Sequence, residues 1–182
     1  PVAGRLAFAR AAETLLRRHP AAAVESQREA ALALERAGNH LSWLTRFAGV
    51  LAAPDLVQHS AELLRRLGDL EARFWPGGAA RTIAPLAGPP LVDDASAGGL
   101  AAIAREAETL RSGWLGNRLL RLRTVGIGAI PAEHLEHAGV SGPVMDASQH
   151  TAGDVHGRLT VRLNAVIADL HATLDRLGTA AE

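Results

Sequence analysis

The chain has 182 residues, of which 48% are hydrophobic and 3% are aromatic, and it contains no cysteine and no tyrosine. This composition fits one globular domain with a core built largely of Leu, Ala and Val, so we predict a single domain over residues 1–182. The lack of cysteine excludes disulfides, cysteine-held iron–sulfur clusters, zinc–thiolate sites and thiolate catalysis within these residues.

Charge is balanced, with 19 basic and 19 acidic residues and no long block of either sign. The overall field gives no reason to expect nucleic acid or an anionic membrane as a partner, although a local basic patch stays open. No apolar run approaches the roughly 20 residues of a spanning helix, and no signal peptide opens the chain, so we predict a cytoplasmic protein without direct membrane insertion. Because the chain begins at Pro1, we also expect it to be a piece of a longer protein.

The first element predicted is a short helix over residues 4–18. Leu6, Leu15 and Leu16 are expected to face the core, and Pro20 stops the helix.

The central helix, predicted from about Ala21 to Leu51, is the element around which the others are expected to pack. Its core face follows the alternating steps of three and four that are typical of helix packing, with Leu34, Ala37, Leu41, Leu44, Ala48 and Leu51. A second stripe carries Arg36, His40, Trp43 and Phe47 one turn apart. This pattern indicates one packed face and one mixed face that meets something else.

Two further helices follow the central one. Pro54 suits the first position of a third helix of about twenty residues, which should pair antiparallel with the second across a short turn. Prolines and glycines predict an irregular loop over about 75–92. Asp93, Asp94 and Ser96 offer caps for a fourth helix that runs to about Leu120.

A second irregular segment is predicted over about 121–150, with residues 123–128 extended and residues 131–138 in a brief helix. A long last helix then runs from about Thr151 to Gly178, opened by Thr151 and Asp154 at capping-box spacing. The predicted fold is therefore all-α, a bundle of about five helices with one irregular segment between the fourth and last long helices.

Two groups of polar residues are candidates for chemistry. Asp154, Arg158 and Arg162 lie at steps of four, and they form either a solvated ion-pair stripe or arginines that hold a carboxylate inside the bundle or at a subunit interface. His134 and His137 place two imidazoles on one helical face, but a metal would need a third ligand, so we predict no metal site there.

His40 is expected to be a hydrogen-bonded core or interface residue rather than a ligand. No dinucleotide fingerprint, Walker loop or serine-hydrolase motif occurs in the chain.

Four stretches, taken in their order and spacing, resemble the nickel–iron hydrogenase large-subunit family. They are ERAGNHL at 35–41, RTVGIG at 123–128, GVSGPVMDAS at 139–148 and GDVHGRLTVR at 153–162. The similarity is closest to the complex I branch, namely the large quinone-site subunit of NADH–quinone oxidoreductase and the large subunit of formate hydrogenlyase-type hydrogenases. The resemblance covers most of the chain.

The resemblance implies a helical bundle that docks against an iron–sulfur small subunit and membrane-arm subunits, with a nickel–iron centre or a quinone headgroup at the junction. Hydrogenases of the family hold their metals with two Cys-x-x-Cys pairs, and the quinone branch uses a histidine in an N-terminal segment and a tyrosine; this chain matches none of these positions. It therefore implies an oxidoreductase subunit or fragment, serving electron transfer to quinone or protons, that holds no cofactor itself and is not catalytic alone.

The polar residues that carry the resemblance are predicted to form one bonded network that fixes helix positions and a subunit interface. They are Glu35, Arg36, His40, Arg123, Asp154, Arg158 and Arg162, and none is assigned a catalytic role. The alternative is a catalytically silent scaffold or assembly and dimerisation module, for which a homo-oligomer of the isolated chain is expected. By resemblance, the chain would sit at the cytoplasmic face of a membrane complex.

Overall fold

A computed structural model describes residues 2–76, 78, 93–130, 134 and 154–178. Within these residues the structure is all-α. The helices are α1 (Val2–Leu15), α2 (Ala22–Val50), α3 (Pro54–Phe74), α4 (Asp94–Gly116), α5 (Arg118–Thr124) and α6 (Val155–Gly178). None of the helices within the described ranges is both long and apolar enough to cross a bilayer.

Helices α2 and α6 lie side by side in opposite directions. Ser26, near the start of α2, donates a hydrogen bond to the carbonyl of Arg176 near the end of α6. Further along α2, a ring nitrogen of His40 lies 3.2 Å from the guanidinium of Arg162, nearer the start of α6. The sequence stretches 35–41 and 153–162 thereby meet across one helix pair.

The other helices complete an antiparallel four-helix bundle. Gly99, near the start of α4, faces Leu70 near the end of α3, and an added Cβ there would lie 3.3 Å from the Leu70 side chain. Helix α4 in turn runs beside α6, where Arg111 donates to Asn164 at 3.2 Å. As predicted, α3 packs antiparallel to α2 across the short turn between Val50 and Pro54.

The core occupies the space between α2, α3, α4 and α6. Five of the six members of the predicted core stripe of α2 are buried, namely Leu34, Ala37, Leu41, Leu44 and Ala48. The sixth, Leu51, follows the last residue of the helix and is only partly buried. Leucines dominate the opposing faces, and the rings of Phe74 and Trp114 fill the remaining volume. Burial of this apolar surface, rather than any ion pair, is the main force that holds the bundle together.

Helix α1 packs on the outside of α2 and is shorter than predicted. Val2 and Leu6 are buried, but Leu15 and Leu16 are 84% and 68% exposed, so the prediction that these two leucines face the core is wrong. The second half of α1 is held by charge, since Arg28 of α2 bonds the carboxylate of Glu13 at 2.6 Å. These polar contacts leave the last leucines without a surface to pack against.

The predicted fourth helix is divided into α4 and α5. Of the three candidate caps, Asp93 is the N-cap of α4 and forms a capping box with Ser96, while Asn117 leaves the helical conformation and ends the helix. The Asn117 side chain then accepts hydrogen bonds from the backbone N–H groups of Leu119 and Leu120, at 3.0 and 3.1 Å. An asparagine next to Gly116 therefore caps a new short helix instead of continuing the old one.

Residues 123–128 are not extended, contrary to the prediction. Arg123 and Thr124 belong to α5, and a turn follows in which Gly126 and Gly128 have φ values of 71° and 60°. The two glycines supply left-handed conformations that β-branched neighbours disfavour, so the glycines decide the local structure. Residues 79–92 and the predicted brief helix at 131–138, apart from position 134, lie outside the described residues.

The last helix begins at Val155, not at Thr151. Asp154 is the residue before the first helical one, and its side chain accepts a hydrogen bond from the N–H of Gly157 at 2.7 Å. Asp154 therefore acts as an N-terminal cap of α6. Thr151 lies outside the described residues.

Candidate functional site

The mixed face of α2 meets α6 in a cluster centred on His40, Trp43 and Arg162, which we call the α2–α6 cluster. Arg162 Nη1 lies 3.2 Å from His40 Nδ1, and the Arg162 guanidinium lies 4.5 Å from the centre of the Trp43 ring. A guanidinium over an indole face is a cation–π contact, which is stronger where water is partly excluded. Arg162 therefore points toward α2 instead of along a solvated stripe.

Arg36 and Asp169 form the second pair on the same face. The guanidinium of Arg36 donates to one carboxylate oxygen of Asp169 at 2.6 and 3.0 Å, and 47% of the Arg36 side chain is exposed. An ion pair that is half open to solvent contributes little to stability by itself. Its chief effect is to fix both side chains at the edge of the cluster.

Positive charge exceeds negative charge at this face. Burial lowers the pKa of His40 below its usual value, and the charges of Arg162 and Arg36 lower it further against the opposing effect of Asp169. Burial also lowers the pKa of the Arg162 guanidinium. Two arginines thus stand beside a neutral imidazole and one carboxylate, an arrangement suited to meeting a further anionic group.

A row of stacked rings leads from this cluster into the core. Trp43 and Phe47 stack with centroids 4.7 Å apart, and Phe47 stacks on Trp114 with centroids 6.2 Å apart. Trp114, which belongs to α4, is fully buried in the core. The half-exposed cation of Arg162 therefore rests on a rigid aromatic column, which fixes its position.

A separate cluster forms where α6 begins, centred on Asp154. One carboxylate oxygen accepts from the N–H of Gly126 and the other from the N–H of Gly157, both at 2.7 Å, and Asp154 is 3% exposed. Burial by itself would raise the pKa of this carboxyl, but the two backbone donors together with nearby positive charge bring it below its usual value. The group is therefore an ionised anchor for the turn.

The turn at 126–128 is tied to α6 by three further contacts. The N–H of Val155 donates to the carbonyl of Ile127 at 2.9 Å, and Arg158 donates to the carbonyl of Gly128 at 3.1 Å. Just before the turn, Thr124 Oγ1 lies 3.1 Å from His156 Nδ1. Residues 124–128 and 154–158 thus form one local unit, which we call the α6 start.

Glu35 and Arg123 lie apart from both clusters. The Glu35 carboxylate accepts from the N–H groups of Val2 and Ala3 at 2.8 and 2.9 Å, so it caps the start of α1. Arg123 donates to the carbonyl of Leu51 at 2.6 Å and ties α5 to the end of α2. Each has a structural partner, as the helix-positioning interpretation expects.

The seven predicted residues consequently form several local groups instead of one network. His40 and Arg162 contact each other, and Arg36 reaches the same face through Asp169. Asp154 and Arg158 hold the same turn, mainly through backbone groups. The physical reason is that backbone N–H and C=O groups at helix ends satisfy these side chains as well as charged partners would.

Asp169 was missed in the sequence. It lies seven residues after Arg162, which is two helical turns, so it falls on the same stripe and a search at that spacing finds it. The role of the Gly126 N–H had no comparable signal, because a backbone donor is not visible in a residue pattern.

No metal centre is assembled by the described residues. Among them, no three His, Asp or Glu side chains lie close enough to hold one ion, and His134 is exposed. His137 and the stretch 139–148 lie outside the described residues.

No protein family model matches the chain. No curated protein sequence matches it significantly either.

Proposed function

We propose that this chain is a helical subunit, or part of one, in an oxidoreductase assembly of the hydrogenase large-subunit kind, and that it contributes positioning and docking surfaces instead of catalysis. The proposal rests on the resemblance of the four sequence stretches. One observation supports it: three of these stretches, far apart in the chain, are joined by direct bonds. His40 meets Arg162, and Gly126 donates to Asp154.

Helix packing alone does not require this residue pattern, but the contacts between the stretches account for it. A leucine-packed bundle is stable with many polar residues at positions 40 and 162, so the contact between His40 and Arg162 is not a requirement of the packing. The α2–α6 cluster also carries a surplus of positive charge from Arg36 and Arg162 on a rigid aromatic base. A docking surface for an acidic segment of an iron–sulfur subunit has this character.

The experiment is to purify the chain, with an affinity tag, from its native host. The expected result is co-purification of an iron–sulfur subunit, seen as stoichiometric iron and acid-labile sulfide and as an electron paramagnetic resonance signal after chemical reduction. Arg162→Glu should release the partner, because it places a negative charge against an acidic surface.

Arg65→Glu provides the matched control. Arg65 is an exposed arginine of α3 paired with Glu62 and Asp69, so its reversal alters the same charge away from the cluster. Arg162→Met tests whether loss of folding explains a negative result, since it removes the charge and keeps the aliphatic stem. A chain that purifies without iron, whatever the variant, contradicts the proposal and favours the silent scaffold.

A further inference from the structure

Helix α5 turns its apolar side outward. Leu120 and Thr124 are its two buried residues, whereas Leu119 and Leu122 are 65% and 69% exposed. With about 3.6 residues per turn, Leu122 lies on the side of the helix opposite Leu120 and Thr124. An ordinary surface helix buries its apolar residues, whereas α5 exposes two of its three leucines together with its arginines.

The exposed apolar surface continues into the turn that follows. Val125, Ile127 and Ile130 are 51%, 54% and 38% exposed, so five of the nine exposed large hydrophobics of the described residues lie within 119–130. We call these five side chains the α5 patch: Leu119, Leu122, Val125, Ile127 and Ile130. Isolated exposed apolar residues are common, but a cluster of this kind marks an interaction surface.

Basic residues border the α5 patch without acidic neighbours in sequence. Arg118 and Arg121 are exposed and line a shallow recess with Leu122 and Val125, and residues 109–130 contain no Asp or Glu. No carboxylate of the described residues forms an ion pair with either arginine, whereas Arg10, Arg36 and Arg65 each have one. The patch is therefore both apolar and cationic.

We propose that the α5 patch rests on the surface of an anionic lipid bilayer. Its apolar side chains enter the boundary between headgroups and acyl chains, while Arg118 and Arg121 meet lipid phosphates, as basic amphipathic surface segments do. A second copy of the chain fits less well, because a twofold contact would bring the arginines of both copies together. This proposal is independent of the proposed function.

The local structure suits such a contact because the patch is held firmly. Asn117 caps α5, Arg123 ties it to the carbonyl of Leu51, and Asp154 fixes the turn through Gly126. A preorganised patch loses little conformational freedom on binding. It lies at the end of the bundle where α2 ends, so the rest of the molecule can stand away from the membrane.

The test is flotation of the full chain with vesicles of phosphatidylcholine alone and with added phosphatidylglycerol. Binding is expected only with the anionic lipid and should weaken as salt is raised. The double variant Arg118→Gln/Arg121→Gln should lower the partition coefficient by about tenfold or more. Leu122→Gln should lower it several-fold, because the centre of the apolar face is lost.

Leu15→Gln is the matched control. Leu15 is 84% exposed at the opposite end of α2, so its substitution removes as much exposed apolar surface without touching the patch and should leave flotation unchanged. Because the chain has no cysteine, Ile127→Cys also accepts a single environment-sensitive fluorophore. Its emission should shift to the blue on anionic vesicles, and that of a Leu15→Cys label should not.

Three results overturn the proposal. They are failure to float with anionic vesicles, equal flotation with neutral vesicles, and binding that Leu15→Gln weakens as much as Leu122→Gln. Self-association that is abolished by Leu122→Gln, without vesicle binding, would reassign the patch to a contact between protein chains.

Discussion

Helix α6 contacts the rest of the molecule in two different ways. At the α6 start, each oxygen of a buried carboxylate accepts a hydrogen bond from a backbone donor, one from Gly126 and one from Gly157. In the α2–α6 cluster, half a helix further on, Arg162 and Arg36 are partly open to solvent and outnumber the acidic partner Asp169. The carboxylate at the α6 start finds its partners within the chain, whereas the α2–α6 cluster has more positive than negative side chains.

The two groups of residues therefore differ in their role: the α6 start stabilises the fold, and the α2–α6 cluster is available to bind a partner. A buried ionised group with all its hydrogen bonds made is costly to disturb, because removing it leaves polar groups unpaired. Partly exposed cations contribute little to folding but remain available to a partner. We therefore expect substitutions at the α6 start to change stability and substitutions in the α2–α6 cluster to change binding more than stability.

The largest effect is expected for Asp154→Ala. It removes the cap of α6 and leaves the N–H groups of Gly126 and Gly157 without their acceptor, so the free energy of unfolding should fall by about 2–4 kcal/mol. Urea unfolding followed by circular dichroism measures the change. Asp175→Ala is the control, because Asp175 is exposed on the same helix and its removal should matter little. If both variants lost the same free energy of unfolding, the special contribution expected of Asp154 would be contradicted.

A smaller effect is expected for Arg162→Met. The variant loses the cation–π contact and the bond to His40 but keeps the aliphatic stem over Trp43, so stability should fall by about 1 kcal/mol. A double-mutant cycle with Trp43→Leu should give a coupling free energy of about 0.5–1 kcal/mol. A coupling of zero would show that the two side chains are neighbours without an energetic contact.

The smallest effect is a pH dependence from His40. Its pKa is lowered in the folded state by burial first and by Arg162 and Arg36 next, whereas an imidazole in the unfolded chain titrates near about 6.5. Between these two values the unfolded state binds more protons, so stability decreases as the pH falls below about 6.5 and levels off below the folded pKa.

The measurement is the urea midpoint across that pH range. His40→Gln should flatten the curve near neutrality, while His171→Gln, at an exposed histidine of α6, should leave it unchanged. A slope that survives in His40→Gln would assign the dependence to another group.

The sequence predicted the helices better than their ends. The core stripe of α2 follows a period that packing enforces, so residues such as Leu41 and Leu44 are buried as expected. The division at Asn117 and the start of α6 at Val155 depend on single capping side chains that compete with helix continuation. Those competitions are decided locally, by differences of about 1 kcal/mol.

The candidate site was predicted only in part. The stripe of Arg36, His40 and Trp43 was visible in the sequence because helical spacing places its members together. The separation of Glu35 and Arg123 from that stripe was not visible, since each bonds a backbone group of another element. Backbone partners depend on how the helices are arranged, which residue spacing does not specify.

The most direct test of the central claim is whether an electron-transfer activity of the native host depends on this chain, as the proposed assembly requires. Quinone reduction should be measured in membranes of the native host after deletion of the gene, with NADH and then with hydrogen as the electron donor. We predict that one of the two activities is lost on deletion, restored by the unaltered gene and by Arg65→Glu, and restored poorly by Arg162→Glu. Full retention of both activities in the deletion strain would contradict the account.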